Sequence, residues 1–320
     1  MGMDLTMNKL YKSEWHSLSR WYNNKEDKII NLICEPYEPL VLVNKLILQR
    51  IESNEKVLYV SEHKKELKIF EQYRGVIDHI DFTDVYKVND LYNLIVIDDI
   101  TFYSNKTEIE LMENIAFLMK KCYKIVLCSI NNVINNVKTI ELSNIDKKNH
   151  FIEPRVMTTR LDLTTSMPYI LYDYLKWFNK EKRNVVVYVP NREKGNELFN
   201  YYMETLKAIK NLYVVQSEEN ELLNDIDRLK FKDKSSIIIT NKLHNYLDKI
   251  SEIDLIFYFA DEKFFNYKKI IFACAALTKD SNVTRELILL CNEEANNIEQ
   301  AKNIARKYNK FIWDQENKNY

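Results

Sequence analysis

Short apolar runs alternate along this chain with segments in which apolar residues recur every three or four positions. The first pattern is that of a strand buried on both faces, the second that of an amphipathic helix. Their regular alternation predicts βαβ units and a mainly parallel sheet. In the first half, strands are expected at Ile29–Cys34, Val57–Val60, Leu94–Asp98 and Ile125–Ser129. Helices are expected near Pro39–Glu52, His63–Tyr73 and Thr107–Cys122. The last places Leu111, Ile115, Leu118 and Cys122 on one face, and Thr107 followed by Glu110 has the spacing of a capping box. In the second half, strands are expected at Val185–Val189, Leu212–Gln216, Ser236–Thr240, Leu255–Phe259 and Glu286–Cys291. Helices are expected near Pro168–Lys180, Arg192–Lys207, Glu219–Lys230, Lys263–Leu277 and Glu293–Tyr308, with the segment after Phe311 fraying.

The segment from Lys147 to Pro168 breaks this rhythm, with Pro154, Pro168 and four threonines. It is expected to connect two domains, residues 1–152 and 153–320, a division that suits the chain length.

Composition narrows the function. Apolar residues make up 46% and charged residues 29%, a globular balance. No run of eighteen apolar residues and no signal-peptide pattern is visible, so the expected compartment is the cytoplasm. The formal net charge of −1 weighs against a strongly basic nucleic-acid surface, although a local basic groove stays open. The five cysteines stand singly in apolar stretches and the histidines show no ligand spacing, so reduced core thiols and no metal site are expected. There are three glycines, Gly2, Gly75 and Gly195. No two lie close enough to build a conventional phosphate loop, whose backbone must approach the phosphate closely.

Four segments carry a family resemblance. Asn93–Asp99 reads N-L-I-V-I-D-D, an apolar strand ending in two acids. Lys124–Ser129 reads K-I-V-L-C-S, Val185–Pro190 reads V-V-V-Y-V-P, and Ile237–Leu243 reads I-I-I-T-N-K-L. In order and spacing these resemble the Walker B strand and motifs III, IV and V of superfamily-2 helicases. Among these the chain most resembles the ComFA-type late-competence proteins, DNA-dependent ATPases of DNA uptake. Leu91–Tyr103, Arg160–Pro190, Asp254–Ala276 and Glu294–Asn309 are similar to further stretches of that family. The resemblance runs from about Leu32 to Asn309, without the family's N-terminal four-cysteine zinc module. It implies an α/β fold of two RecA-like domains, the first (1–152) a degenerate nucleotide-binding domain and the second (153–320) a helicase C-terminal-like domain.

The resemblance also shows what has changed. The phosphate loop falls at Cys34-Glu35-Pro36-Tyr37-Glu38-Pro39, with Glu38 near the lysine position. The prolines remove N–H donors. Two acids replace a cation, and at about 4 Å with an effective dielectric near 20 each reversal exchanges about 4 kcal/mol of attraction for similar repulsion. Asp98 and Asp99 stand at the Walker B positions, either as a residual Mg²⁺ site or as an inherited strand end whose carboxylates face solvent. At motif III, Ser129 keeps a hydroxyl and Ile130 brings none. At motif V, Thr240 and Leu243 fit, whereas Asn245 and Tyr246 replace arginine and glycine. At motif VI, Ala275 and Thr278 replace both arginines, and an arginine finger contributes about 10³–10⁵ in rate.

The expectation is a helicase-like protein without ATPase activity and with no cofactor. Its partner would be single-stranded DNA, another nucleic-acid strand or a competence-type protein. Candidate strand contacts are His63, Lys64 and Lys65 after the second strand, Asn191, Arg192 and Lys194 after motif IV, and Thr240; solvated helix N-termini are the plainer reading of the two charged clusters. A diverged DNA-dependent ATPase using Mg-ATP is the first alternative and a protein-interaction scaffold the second.

Overall fold

The computed structural model describes residues 11–37, 40–62, 75–100, 106–142, 150–217, 235–243, 253–277 and 285–317. The chain forms two compact units, Met1–Asn144 and Ile145–Tyr320.

The first unit runs α1 (Lys12–Asn23), β1 (Ile29–Cys34), α2 (Val41–Glu52), β2 (Val57–Ser61), β3 (Ile77–Asp81), a 3₁₀ turn, β4 (Tyr92–Asp98), α3 (Glu108–Leu118), a second 3₁₀ turn, β5 (Cys122–Ser129) and β6 (Lys138–Leu142). All six strands are parallel, in the order β3-β2-β4-β5-β1-β6. Strands in the middle of a parallel sheet are covered on both faces. Accordingly β2 is buried throughout and β4 and β5 nearly so. Leu58, Val60, Ile95, Ile97, Ile125 and Leu127 share one face and pack with Leu111, Ile115 and Leu118 of α3. The capping box at the start of α3 is present, with the Thr107 N–H donating to Glu110 Oε2 at 2.7 Å.

Three features of this unit depart from the sequence expectation. Helix α3 stops at Leu118 rather than Cys122, because a 3₁₀ turn at Met119–Lys121 turns the chain and Cys122 is already extended, with φ −145°. Strands β3 and β6 went unforeseen, since edge strands keep one flank partly wet and so lack an apolar run. Helix α1 was unforeseen too. It buries Leu18, Trp21 and Tyr22, and buried Lys124 of β5 donates to the carbonyls of Asn24 and Asp27 just beyond its C-terminus. A cation there offsets the negative end of the helix dipole.

The second unit runs β7 (Arg155–Thr158), α4 (Tyr169–Lys180), β8 (Asn184–Tyr188), α5 (Arg192–Thr205), β9 (Leu212–Gln216), β10 (Ser235–Thr240), β11 (Ile253–Tyr258), α6 (Tyr267–Leu277), β12 (Leu287–Cys291) and α7 (Asn296–Asn317). Its six strands are also all parallel, in the order β7-β12-β11-β8-β10-β9. Leu198 and Tyr202 of α5 and Leu171, Leu175 and Phe178 of α4 join Val185, Val187, Ile237, Ile239 and Ile256 in one core. At the start of β11, buried Asp254 holds three strands together. It pairs with Arg183 just before β8, at 2.6 Å from Nε, and accepts the Glu286 N–H just before β12 at 2.7 Å.

The stretch expected as a connection contributes edge strand β7, whose two end residues, Arg155 and Thr158, are exposed. Helix α6 begins at Tyr267 rather than Lys263, where the Asn266 side chain accepts the Lys269 N–H at 3.0 Å. Helix α7 continues past Phe311 to Asn317, and Ile312 is buried along it, where fraying was expected. The helices expected at His63–Tyr73 and Glu219–Lys230 lie outside the described residues. Among the described residues no helix is long and apolar enough to cross a membrane.

Candidate functional site

In an open parallel sheet, ligands bind outside the carboxyl ends of the strands. In the first unit this edge gathers the residues after β1, β4 and β5. It brings Glu35 and Tyr37 to the same end of the sheet as Asp98 and Asp99; Glu38 lies outside the described residues.

After β1, Glu35 is half-buried, Pro36 is buried, and Tyr37 adopts φ +63°. A side chain in this left-handed region costs roughly 1–2 kcal/mol, which glycine would avoid. Helix α2 then starts with Leu40 at its N-cap, and no side chain caps it.

The two acids of β4 are not the solvent-facing strand end that one reading anticipated. Asp98 is 1% exposed and Asp99 is fully buried. Asp98 Oδ2 accepts the Tyr59 hydroxyl at 2.7 Å, and Oδ1 accepts the Ile100 N–H at 3.1 Å. The Asp99 N–H donates to the Cys128 carbonyl at 2.9 Å, extending the β4–β5 ladder. Tyr59 lies one strand over, in β2, where the register sets Tyr59 beside Val96 and Ser61 beside Asp98. Burial pushes the Tyr59 phenol well above its ordinary range, and the Asp98 charge raises it further, so it remains a donor. Sequence reasoning missed this residue. A tyrosine inside an otherwise apolar strand, one strand from a paired acid, was the available signal.

Beyond β5, buried Ser129 places its hydroxyl 2.9 Å from Asn31 Oδ1 and 2.6 Å from the Asn131 carbonyl, so one proton serves two acceptors. The Asn31 amide donates to Asn132 Oδ1 at 3.0 Å. Fully buried Asn31 thus ties β1 to the loop after β5, a second polar residue that its apolar run concealed.

In the second unit, Thr240 stands beside Tyr188 in the β8–β10 register, and Arg192 opens the helix that follows β8. Arg192 is exposed. Lys194 is half-buried, paired with Glu262, with Nζ 4.4 Å from the Phe259 ring centroid. Asn191 accepts the Lys194 N–H at 2.9 Å as the N-cap of α5. Thr240 is 2% exposed, and its hydroxyl oxygen accepts the Lys242 N–H at 3.1 Å. The motif VI helix, α6, is buried along its whole length, Ala275 included. Lys64, Lys65, Asn245, Tyr246 and Thr278 lie outside the described residues.

These residues do not suit Mg-ATP. A phosphate needs free N–H donors and a cation, whereas the described part of the loop after β1 supplies Glu35 and Pro36. Asp98 is buried, and each of its oxygens already accepts one hydrogen bond from the protein.

Each unit is a mainly parallel sheet flanked by helices, as in RecA-like domains, and together they give the chain a helicase-like fold. Two solved structures of the Escherichia coli protein HrpB are similar to it. One, described as a DExH-box NTPase, superposes with a TM-score of 0.52 and 9% identity over 92% of this chain and 42% of that one. The other, described as a DEAH/RHA helicase, gives 0.51 and 8% over 92% and 43%. A Saccharomyces cerevisiae Dbp5 structure bound to RNA and ADP BeF3 gives 0.47 and 12% over 93% and 87%. This chain spans less than half the length of HrpB. No protein-family model and no curated sequence matches the chain.

Proposed function

We propose that this protein is a helicase-like protein without ATPase activity, which uses its two RecA-like domains to hold a single nucleic-acid strand, in a role akin to that of ComFA-type proteins in DNA uptake. The observation that carries the reading is the engagement of Asp98: buried, with Tyr59 on one oxygen and the Ile100 N–H on the other. Mg²⁺ normally completes its octahedron with phosphate oxygens and waters around one or two carboxylates. To recruit Asp98, the ion would have to enter a buried site in which each carboxylate oxygen already accepts a hydrogen bond, without the cations that usually hold the triphosphate. Buried Pro36 supports the same reading, since it brings no N–H donor to a phosphate.

The test is thermal melting of the pure protein with and without millimolar Mg-ATP or Mg-ADP. A ligand that binds only the folded state raises its stability by RT ln(1 + [L]/Kd), so an intact nucleotide site would shift the midpoint by several degrees. We expect no shift, together with salt-sensitive retention of single-stranded DNA. Nucleic-acid-stimulated ATP hydrolysis that disappears in Asp98→Asn would overturn the proposal. Failure to bind any strand, with nucleotide also inert, would leave the fold as a protein-interaction scaffold.

A further inference from the structure

At the amino ends of the second unit's strands, opposite the edge that carries Arg192 and Thr240, helix α4 borders an open cavity of about 380 Å³. Small-ligand clefts span about 300–1,000 Å³. Among the described residues, Ile170, Asp173, Tyr174 and Trp177 of α4 line it, with Glu286 just before β12. The α4 residues recur at spacings of three and four and so share one face. On that face Ile170 is 54% exposed and Trp177 38%, while Leu171, Leu175 and Phe178 hold the helix to the core.

Charge decides what can enter. Arg155, the first residue of β7, sets its guanidinium 5.5 Å from the Tyr174 ring centroid and its Nε 3.4 Å from Glu286. Lys176 Nζ stands 3.9 Å from Asp173. Arg183, 4.9 Å from the Trp177 ring centroid, is held by buried Asp254. Each acid at the cavity therefore has a cation beside it. A bare cation would compete with Arg155 and Lys176, and an anion inside would meet Asp173 and Glu286. The ligand that suits all of these is planar and uncharged against the rings, donates a hydrogen bond to a carboxylate, and carries its negative charge outside. A nucleobase on its sugar-phosphate has these three properties. The Arg155 and Lys176 side chains are 54% and 49% exposed, and exposed ion pairs contribute little, so either cation can turn to a phosphate.

We infer that the α4 cavity is a base-binding site. One base of the strand stacks on Trp177, its exocyclic amine donates to Asp173, and Lys176 or Arg155 meets a flanking phosphate. The inference rests on the strand-holding reading and adds a preference to it. Cytosine offers an amine where thymine has a carbonyl oxygen, and a carboxylate can only accept. The site therefore favours amine-bearing bases over thymine.

Fluorescence anisotropy of the full chain with labelled oligodeoxycytidine and oligothymidine of equal length reads that preference. The cytidine strand should bind about tenfold more tightly. Asp173→Ala, at an exposed position, should bring the two strands within about twofold, with an unchanged melting temperature. Trp177→Ala should weaken the cytidine strand about tenfold, and Trp177→Phe, which keeps a ring, should recover most of the loss. Free cytidine should compete, and butylammonium, a cation without a ring, should not. Equal binding of the two strands, indifference to Asp173→Ala and Trp177→Ala, or competition by butylammonium overturns the inference and leaves the strand-holding reading standing. If neither strand binds, both fall.

Discussion

Tyr59 donates its hydroxyl to Asp98 inside the first sheet. The consequence is local and measurable. Tyr59→Phe removes the donor while keeping the ring, and leaves a buried carboxylate oxygen short of a partner. Such a loss costs about 1–3 kcal/mol. The urea midpoint of Tyr59→Phe should fall accordingly, with no rescue by Mg-ATP. The thiols give a second prediction. All five cysteines are buried, and none is in a disulfide. Burial pushes the Cys122 thiol up to about 12, and does the same for Cys291. In the unfolded chain these thiols ionise near their ordinary value of about 8.5. A folded value above the unfolded one means that their contribution is fully present below about pH 8.5 and is withdrawn as pH rises toward 12, by up to about 1.4 kcal/mol per pH unit per thiol. The native protein should therefore resist thiol alkylation at pH 8, and its melting temperature should fall steadily from pH 9 to 11. Rapid native alkylation at pH 8 would contradict the burial.

Among the elements, the interior strands and edge strand β9 were legible, and the other three edge strands were not. β1 and β9 fall at their expected bounds, and β2, β4, β5, β8, β10, β11 and β12 within a few residues. The interior strands are buried on both faces, so their apolar runs are long. β3, β6 and β7 sit at sheet edges, where polar residues such as Asp78, Lys138 and Arg155 are tolerated and the run is broken. Helices α3 and α5 start at side-chain caps, Thr107 and Asn191. Thr107 with Glu110 was recognisable because the motif is local in sequence, and each partner reaches only three residues. Thr107→Ala removes the side-chain acceptor at the N-cap and should lower stability by about 1 kcal/mol, read from the denaturant midpoint. Thr107→Ser should recover most of it. An unchanged midpoint in Thr107→Ala would mean that sheet packing alone sets the start of α3.

For the whole molecule, the net charge of −1 bears on the proposed strand binding, because few phosphates would be neutralised. Arg192 is exposed at the start of α5, whereas Lys194 is half-buried beside Glu262. If only two or three phosphates are neutralised, the logarithm of single-strand affinity should fall with the logarithm of salt concentration at a slope of about −1.5 to −2. Arg192→Ala should flatten that slope by about 0.7, and Lys194→Ala should leave it nearly unchanged. Equal effects of the two substitutions in a filter-binding series would refute this division of labour.

Periodicity alone set the fold class, because strands buried on both faces and helices buried on one must show their burial in the order of their residues. The composition near the phosphate loop, with Glu35, Pro36 and Tyr37 and with glycines far away, was legible for the same local reason. The fate of Asp98 was not. Whether a carboxylate faces solvent, a metal or a phenol depends on which residue the neighbouring strand places beside it, and Tyr59 is 39 residues away in the chain. Asn31 meets Ser129 across 98 residues by the same strand pairing. Contacts of that separation arise only when the sheet forms, and there the tertiary structure decided what the sequence left open.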